Sequence, residues 1–514
     1  MQLASAIAAC DKVTTLEDLE RITGVLKYEG RAIVQCHGVF DLLHPGHIRH
    51  LEAAKRLGDV LLVTVTPDEH VNKGPGRPVF NHRLRAETIA AIQCVDYVAV
   101  NEWPTAVEAI RRLRPDVYVK GSDYLARDED LTGKITDEEE AVLSVGGRIH
   151  FTNEITFSST KLLNDHFAVY PEASHSFLRS FRNKYSSNQI IQMLKDLKKL
   201  KVLVLGEAII DEYHYCRAMG KSPKENIITT KYLSEEVFAG GALAAANHAA
   251  GFCGEVHVVT CVGAKDSKET FIRSHLKENV TMELFKRADA PTVVKRRFVD
   301  ADFLTKMFEI CFLEYHHLPE DLETDVSTYL KERAPQYDLV LVNDFGHGFI
   351  GQRIIDVLAE RSRFLVVNTQ TNSANVGFNL VTKYPRADYV CIDEPEMRLA
   401  MGDRFSDLES LALELSSFLG YERVAVTCGH RGSLVYGKDE GFTMVPIFSN
   451  RVVDRIGAGD AYLSVTGPCT LAGYPMEVVG FVGNAVGALA VRIIGNKTPV
   501  EPVPLFKFIT ALLG

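Results

Sequence analysis

The chain has 514 residues, too many for one ordinary hydrophobic core, so two or three domains are expected. Hydrophobic residues make up 46% of the chain and charged residues 24%, which is the balance of a soluble globular protein. The 57 basic and 67 acidic residues give a net charge of −10. This argues against nucleic acid as the main partner, because a basic footprint is missing.

The cysteines and the first residues bear on the cellular compartment. The ten cysteines are scattered and none forms a Cys-x-x-Cys pair, so reduced, buried thiols are expected. Acidic residues come early in the chain, which is not the pattern of a signal peptide. No stretch approaches the ~20 apolar residues that span a bilayer. We therefore expect a cytoplasmic protein with no membrane partner.

The first part of the chain alternates strands and helices. A helix over residues 14–27 comes first, with Thr14 and Glu17 at the spacing of a capping box. The pattern then predicts strand 32–35, helix 46–57, strand 60–66, helix 83–92, strand 97–100, helix 105–113 and strand 117–120. This alternation implies a parallel sheet covered by helices.

A connector separates this block from a second α/β block. Residues 201–206 are predicted to form its first strand, and later strands are predicted at 339–342, 364–367 and 423–426. The expected organisation is a helical lead at 1–28, a first domain at 29–166, a linker at 167–199 and a second domain at 200–514.

The most informative run is residues 38–47, Gly-Val-Phe-Asp-Leu-Leu-His-Pro-Gly-His. It lies between a predicted strand and a predicted helix, where parallel-sheet enzymes bind ligands and where free N–H groups attract phosphate. His44 and His47 can both point at one phosphate and donate hydrogen bonds as charge builds during attack. Gly46 lets the backbone approach without a Cβ.

Three other runs fit the same chemistry. Residues 73–78 (Lys-Gly-Pro-Gly-Arg-Pro) form a basic loop that can hold polyphosphate, and residues 119–124 (Val-Lys-Gly-Ser-Asp-Tyr) follow a strand and supply another cation. Residues 157–160 (Phe-Ser-Ser-Thr) can cap a helix and bind phosphate there. Each run alone is an ordinary loop or cap, so the joint pattern carries the interpretation.

The dense histidines allow a metal-site alternative. His37, His44, His47 and His50 lie within 14 residues, but no carboxylate or cysteine completes a ligand set of typical spacing. His37 and His50 are interpreted as packing or surface residues.

Residues 32–164 resemble the cytidylyltransferase-like nucleotidyltransferases, most closely the heptose 1-phosphate adenylyltransferase domain of bacterial lipopolysaccharide-precursor enzymes. The matching runs are Gly-x-Phe-Asp-x-x-His-x-Gly-His, Lys-Gly-Pro-Gly-Arg-Pro, Val-Lys-Gly-x-Asp-Tyr and the Ser-Ser-Thr helix start. The resemblance implies a Rossmann-like domain in which a sugar 1-phosphate attacks the α-phosphate of a nucleoside triphosphate and pyrophosphate leaves. The acidic segment 127–140 looks longer than the family's usual loop.

The same resemblance implies roles for individual residues. His44 and His47 stabilise the transition state, Asp123 contacts the sugar, and Mg²⁺ is required. Contacts to the nucleotide and its phosphates fall to a larger set: Gly38, Phe40, Asp41, Lys73, Arg85, Lys120, Ser159 and Thr160.

A second site is indicated by residues 454–460, Asp-Arg-Ile-Gly-Ala-Gly-Asp, which precede an apolar helical stretch. Gly457, Ala458 and Gly459 expose N–H groups at a helix start and can form an anion hole for a transferring phosphoryl group. Asp460 can take the proton from an attacking hydroxyl as general base. A lone Gly-x-Gly-Asp is more often a turn, so this interpretation depends on other runs.

Residues 201–500 resemble the ribokinase/phosphofructokinase-B family of sugar kinases. In this resemblance Asp460 is the catalytic base. The resemblance implies that the sugar is contacted by Asp211, Gly240 and Gly241. It implies nucleotide contacts from Thr427 and Gly429, and Mg²⁺ contacts from Asp393 and Glu396.

The second block departs from the family pattern at four places. Asn247 comes late after the double glycine, and residues 368–372 (Asn-Thr-Gln-Thr-Asn) replace an Asp/Asn-Pro-x-Lys/Arg-like segment. Asp393 replaces an asparagine, and Ile456 replaces the usual threonine. Sugar specificity therefore stays open, and a degenerate kinase domain that binds ligand or holds an oligomer is the alternative.

Both halves together resemble enzymes that combine a heptose 7-phosphate kinase with a heptose 1-phosphate adenylyltransferase, here with the transferase first. This implies ATP and Mg²⁺ as cofactors (CTP being possible for the first domain), sugar phosphates as substrates, a homo-oligomer, and a product of the ADP-heptose type. A transferase acting on a smaller phosphorylated alcohol, such as glycerol 3-phosphate, is a further alternative.

Overall fold

The computed structural model describes residues 9–71, 77–121, 134–152, 172–373, 375–449 and 451–513. Two compact units form, the first from Met1–Pro171 with Phe506–Gly514 and the second from Glu172–Leu505. Four residues assigned to binding from the sequence lie outside the described residues: Lys73, Asp123, Ser159 and Thr160.

The first unit is an α/β domain with six strands in the order β1-β4-β3-β2-β5-β6, all parallel. Its elements are α1 (Ala9–Lys12), β1 (Val13–Thr14), α2 (Leu16–Tyr28), β2 (Ile33–Gly38), α3 (Pro45–Lys55), β3 (Val60–Val65), α4 (His82–Ala90), β4 (Tyr97–Val100), α5 (Val107–Leu113), β5 (Val117–Gly121), α6 (Lys134–Ser144) and β6 (Arg148–Thr152).

Both faces of this parallel sheet are buried. Every residue of β3 is buried, and successive side chains point to opposite faces. Leu61 and Val63 join one core cluster, whereas Val60 and Leu62 join another on the opposite side. The strands predicted from the sequence are therefore confirmed, with ends that differ by a few residues.

The start of α2 differs from the sequence prediction. Thr14 belongs to β1 and pairs with Ala99, while Thr15 is the N-cap and its hydroxyl accepts the N–H of Asp18 at 3.0 Å. The Thr14–Glu17 capping box was wrong because Thr14 is held by the sheet. The same spacing one residue later satisfies the helix end.

The second unit contains a nine-stranded sheet, ordered β11-β10-β7-β14-β15-β16-β17-β18-β19, and a four-stranded sheet, ordered β13-β12-β8-β9. Its strands are β7 (Lys201–Gly206), β8 (Ala208–Lys221), β9 (Ile228–Gly241), β10 (Glu255–Gly263), β11 (Val280–Arg287), β12 (Val293–Asp300), β13 (Lys306–Phe312), β14 (Leu339–Asp344), β15 (Leu365–Thr369), β16 (Tyr389–Asp393), β17 (Arg423–Thr427), β18 (Ser433–Gly437) and β19 (Gly441–Val445).

The helices of the second unit are α7 (Glu172–Arg182), α8 (Ser187–Asp196), α9 (Ala242–Phe252), α10 (Glu269–Ser274), α11 (Glu320–Arg333), α12 (Gln352–Arg361), α13 (Glu394–Met401), α14 (Leu408–Leu419), α15 (Ala458–Leu471) and α16 (Met476–Ala490). The last helix, α17 (Pro502–Leu513), begins in the second unit and belongs to the first from Phe506 onward. Strands β7 and β14 to β17 run parallel, so their carboxyl ends meet at one edge of the large sheet. Among the helices of the described residues, none has both the length and the apolar character needed to cross a bilayer.

Helices α7 and α8 occupy most of the segment assigned to a linker, and α7 packs within the second unit. Ser174 donates a hydrogen bond to the carbonyl of Ile447 at 2.8 Å. The ring of Phe181 stacks on Phe481 with centroids 4.4 Å apart, and Phe177 lies 6.2 Å from Phe448. The chain from Glu172 onward is thus part of this core.

We expect Phe181→Ala to lower the free energy of unfolding of the second unit by about 3–5 kcal/mol, because it removes a fully buried ring from this aromatic cluster. Urea unfolding followed by circular dichroism measures the change. Phe405→Ala is the matched control, since that ring is 95% exposed and its loss should cost less than about 0.5 kcal/mol. Equal losses in the two variants would contradict the packing of α7.

Candidate functional sites

The first candidate site lies where β2 leads into α3. His44 is the N-cap of α3 and His47 lies in its first turn. Their rings stack with centroids 3.9 Å apart and planes 28° apart. Two stacked imidazoles at one helix start can both direct a ring nitrogen at the same phosphate. The structure therefore brings together the two histidines that the sequence singled out.

The tautomer of His44 follows from its cap contact. Its Nδ1 accepts the N–H of Gly46 at 3.1 Å, so in the neutral ring the proton lies on Nε2. An Nε2–H group at a helix start is a donor placed beside main-chain N–H groups, which suits a phosphate oxygen.

Phe40 supports the second histidine. It has φ of 49°, in the left-handed region, and its ring meets His47 edge-on at 5.5 Å. A Cβ at Gly38 would lie only 3.1 Å from that ring, so the glycine makes room for it. Gly38 thus leaves space for the ring of Phe40, which supports the ring of His47.

Asp41 holds a loop in this structure. Its Oδ1 accepts the N–H groups of Val79 at 2.7 Å and Phe80 at 3.2 Å, and its Oδ2 lies 2.5 Å from Nε of Arg77. Both charged side chains are almost fully buried. The carboxylate therefore fastens the end of the basic loop beside the histidines, an arrangement different from the nucleotide contact expected for Asp41.

Arg85 likewise has a position that differs from the expected phosphate contact. Its side chain is fully buried, and it donates to the carbonyls of Phe80, Val39 and Thr66 and to Oδ1 of Asp68. These four acceptors engage the guanidinium. We therefore assign Arg85 to holding the strand-end loops in place.

Lys120 is placed at the end of β5 and is 7% exposed. Its Nζ lies 2.8 Å from Oε2 of Glu138, which also accepts a hydrogen bond from Tyr118 at 3.2 Å. Burial raises the pKa of Glu138, but Lys120 and the hydrogen bonds outweigh it, so the net shift is downward and the carboxylate is charged. A phosphate would have to compete with Glu138 for this cation.

His37 and His50 are packing residues. His37 contacts the hydroxyls of Thr64 and Thr66, and His50 contacts that of Thr152 at 2.8 Å. Burial lowers the pKa of both rings to about 4, so both are neutral. Among the described residues no group of histidines, cysteines and carboxylates has the arrangement of a metal centre.

The second candidate site is a cavity of about 910 Å³ at the carboxyl edge of the large sheet. Asp460, in the first turn of α15, lines it. The cavity also brings together most of the residues assigned to the sugar and the nucleotide: Asp211, Gly241, Thr427, Gly429, Gly457, Ala458 and Gly459.

The start of α15 has the backbone geometry of an anion site. Gly457 is the N-cap with φ of 80°, and a Cβ there would lie 2.1 Å from Oδ1 of Asn496, so a larger residue does not fit. A Cβ at Gly459 would meet nothing within 4 Å, which leaves open space above the N–H groups. A phosphoryl group can therefore approach the helix dipole directly.

Asp460 is 7% exposed and is held by two side-chain amides. Its Oδ1 accepts from Nε2 of Gln370 at 2.8 Å and from Nδ2 of Asn343 at 3.0 Å. Burial and the charge of Asp211 raise the pKa of Asp460 to about 7, although the two amides and Lys295 each lower it. A carboxyl group that titrates near neutral pH suits general base catalysis.

Asp211 lies on the four-stranded sheet and is already engaged. Its carboxylate forms an ion pair with Arg297 and accepts from Nδ2 of Asn496 at 3.2 Å. Gly240 makes room for it, since a Cβ there would lie 2.1 Å from Oδ2 of Asp211. A sugar hydroxyl would meet a carboxylate whose direction is fixed by these partners.

The carboxylates expected to assist Mg²⁺ form a helix cap. Glu396 accepts the N–H of Thr371 through Oε1 and the N–H of Asp393 through Oε2, each at 2.8 Å, and donates its own N–H to Oδ1 of Asp393. Mg²⁺ in nucleotide sites keeps several waters and needs only one or two carboxylates. Asp393, whose Oδ2 is outside this cap, fits a nucleotide-borne Mg²⁺, whereas Glu396 acts by holding the loop.

No sequence motif marked the side chains that contact Asp460 and Asp211. Gln370 lies in the segment that departed from the family pattern, and Lys295 and Arg297 lie on β12, which no motif marked. The basic residues at 295 and 297 lie two positions apart on a strand, which indicates that one face of the sheet is basic. Asn247 is displaced from the cavity and instead holds the loop after α10, donating to the carbonyl of His275 at 2.7 Å.

Comparison with known proteins covers both units. Residues 36–193 match the cytidylyltransferase-like family model. "Bifunctional protein HldE" of Syntrophotalea carbinolica is 38% identical over 151 residues, which is 29% of this chain and 29% of that protein. The protein of the same name from Helicobacter acinonychis is 33% identical over 28% of this chain and 33% of its own length. The chain thus spans about a third of the curated relatives it matches.

Solved structures similar to this chain include a ribokinase and a phosphofructokinase-2, both at low identity. Ribokinase of Arabidopsis thaliana, solved with ribose and ATP, is 16% identical with a TM-score of 0.47, covering 60% of this chain and 99% of its own. Phosphofructokinase-2 of Escherichia coli is 14% identical with a TM-score of 0.49, covering 61% and 99%.

A further family model covers more than half of the sequence. Residues 199–502 match the model of the pfkB family carbohydrate kinases, a range that contains the cavity, the anion site and Asp460. The chain therefore belongs to the pfkB family of carbohydrate kinases.

Proposed function

We propose that the chain is a bifunctional enzyme, a sugar-phosphate kinase joined to a sugar 1-phosphate nucleotidyltransferase. It would contribute to a nucleotide-activated sugar of the ADP-heptose type, a lipopolysaccharide precursor, with the transferase first in the chain. The observation that supports the proposal is that each unit contains an arrangement suited to phosphate, the stacked histidines of α3 in the first and the Asp460 cavity in the second. The substrates, ATP and sugar phosphates, place the reactions in the cytoplasm.

In the kinase reaction, the sugar hydroxyl loses its proton to Asp460 as its oxygen attacks the γ-phosphorus of ATP, the bond from that phosphorus to the bridging oxygen breaks, and ADP leaves. The N–H groups at the start of α15 receive the negative charge of the transferring group. Asp393 would help to hold a nucleotide-borne Mg²⁺, which when bound would offset the negative charge of the phosphates.

In the transferase reaction, an oxygen of the sugar 1-phosphate attacks the α-phosphorus of the nucleoside triphosphate and pyrophosphate leaves. His44 and His47 donate to the α-phosphate oxygens as charge accumulates there. Asp41 and Arg85 act indirectly, because they fix the loops that flank the two rings.

An unpaired cation supports a phosphorylated acceptor for the kinase. Lys295 and Arg297 lie on the same face of β12 and both line the cavity. Arg297 is neutralised by Asp211 and by Glu309 at 2.7 Å. Among the described residues, Lys295 has neither an ion pair nor a hydrogen bond, and its Nζ lies 5.9 Å from the ring of Phe345. A dianionic group on the sugar would complete this half-buried site.

We expect Lys295→Met to raise KM for a sugar phosphate about 10- to 100-fold, because the charge that would hydrogen-bond the phosphate of the substrate is lost. KM for ATP should stay nearly unchanged. Steady-state kinetics with a coupled ADP assay measures both constants. Lys231→Met is the control, an exposed lysine of β9 on the same sheet. An unchanged KM for sugar phosphates would contradict a phosphate contact at Lys295.

The experiment that tests the whole proposal uses the full chain. Pyrophosphate release is measured with ATP, CTP, GTP and UTP against several sugar 1-phosphates, and with glycerol 3-phosphate as the small-alcohol alternative. ADP formation is measured with ATP, Mg²⁺ and a panel of sugar phosphates and neutral sugars. ATP with a heptose phosphate should give the highest rates, and absence of both products would overturn the proposal.

One observation favours a second candidate, in which the kinase-like unit only binds ligand or serves as a scaffold. The sugar-side carboxylate Asp211 is already engaged by Arg297 and Asn496, so a sugar hydroxyl would have to share it with these partners. Turnover of any sugar phosphate by the chain, lost on Asp460→Asn, would exclude this candidate.

We also infer a homo-oligomer. The face of β13 opposite to Lys295 exposes Phe308, Ile310 and Phe312, each between 42% and 52%. Adjacent apolar side chains on one exposed sheet face are typical of an interface. Multi-angle light scattering measures the assembly.

A further inference from the structure

We infer that Gln370 is a positioning residue of the kinase site, which acts together with Asn343 to hold Asp460 in one rotamer so that Oδ2 takes the proton. This inference rests on the proposed kinase function and adds to it the reason why residues 368–372 differ from the family pattern.

The geometry of the two amides carries the argument. Both donate to the same oxygen, Oδ1 of Asp460, at 2.8 Å and 3.0 Å. No described residue hydrogen-bonds Oδ2. Two donors on one oxygen fix the plane of the carboxylate and leave the second oxygen as the acceptor for a substrate hydroxyl.

The donors come from neighbouring parallel strands, so their spacing is set by the sheet. Asn343 lies in β14 and is fully buried, and Gln370 directly follows β15. Gly206 of the adjoining strand makes room, because a Cβ there would lie 2.2 Å from the carbonyl oxygen of Asn343. A shift of either strand by one residue in the register of the sheet would turn its amide away from Asp460.

The loop that carries Gln370 is fixed on both sides. The N–H of Gln370 donates to the carbonyl of Asp344 at 2.8 Å, and its own carbonyl accepts from Nδ2 of Asn379 at 3.1 Å. The next residue, Thr371, donates its N–H to Glu396. Such a loop can hold a long side chain in one rotamer, which a flexible loop could not.

Electrostatics gives this contact a measurable consequence. Burial and Asp211 raise the pKa of Asp460, and Gln370, Lys295 and Asn343 oppose that rise. Cys391 and Glu396 also face this carboxyl group. Removing the Gln370 donor leaves the carboxylate less stabilised, so its pKa must rise above about 7 and less of the base is ionised at neutral pH.

The test compares Gln370→Met with wild type in the full chain. The acidic limb of kcat/KM against pH should move up by about 1 to 2 pH units, with partial recovery of kcat at high pH and little change in KM for ATP. Gln352→Met is the matched control, because Gln352 is an exposed residue of α12 that makes the same kind of amide-to-carboxylate contact, with Asp356.

A second readout separates this inference from the proposed function. With aspartate ¹³C-labelled at the side-chain carboxyl carbon, the one resonance that is missing in Asp460→Asn belongs to Asp460, and its titration reports the pKa of that residue without turnover. A higher pKa in Gln370→Met supports the inference. An unshifted resonance, or an unshifted kinetic limb, overturns it. Absence of kinase turnover in wild type would instead count against the proposed function alone.

Discussion

Asp460→Asn is expected to lower kcat for ATP-dependent sugar phosphorylation by about 10²–10⁴-fold, because an amide cannot take the proton from the attacking hydroxyl. Pyrophosphate release by the histidine site should stay at the wild-type rate, since Asp460 belongs to the cavity of the second unit. Coupled ADP and pyrophosphate assays on the same preparation measure the two activities side by side.

The pH dependence of the wild-type kinase gives an independent check on this base. The pKa of Asp460 is raised to about 7 by burial and Asp211, so its carboxylate form grows as the pH rises through that value. The kinase rate should therefore increase between about pH 6 and pH 8, and the residual rate of Asp460→Asn should lack this limb. A variant that keeps both the rate and the limb would place the base elsewhere.

His47→Ala should have the reverse effect. Removal of one donor at a developing phosphate charge typically costs about 10²–10³-fold in kcat, so pyrophosphate release should fall by this factor while ADP formation continues. Loss of the ring also removes the stacking partner of His44 at 3.9 Å, which makes the upper end of the range the expected outcome.

His50→Ala is the control for this change. His50 lies on the same helix but contacts only the hydroxyl of Thr152 among the described residues, and its ring is neutral because burial lowers its pKa to about 4. Its replacement should leave pyrophosphate release within a fewfold of wild type. Equal losses in both variants would show that the helix, and not the imidazole of His47, supports the reaction.

The positions of the elements followed from local pattern, and the same kind of pattern led to the prediction of the two candidate centres. Strands β4 and β7 were predicted at the residues where they occur, because buried parallel strands form short apolar runs. His44 and Asp460 were found because each lies within one short run at a helix start.

The roles of the surrounding charges could not be predicted in the same way. Arg85 and Lys120 looked like phosphate ligands, yet their partners are Asp68 and Glu138, 17 and 18 residues away in the chain. Nothing in the sequence distinguishes a cation that is neutralised inside the fold from one that awaits a ligand. Lys295 shows the opposite case, since it lies in no motif but faces the cavity without an ion pair among the described residues.

The sequence by itself determined that this chain has two α/β blocks, and glycine, histidine and aspartate at fixed local spacing predicted a phosphate-binding helix start in each. Only the tertiary structure decided that Gln370 and Asn343 hold Asp460 and that Arg297 holds Asp211. These contacts join residues more than 80 positions apart in the chain, and burial decides which charges meet. The chemistry of a side chain is set by its residue type, but the fold determines which partners orient it and shift its pKa.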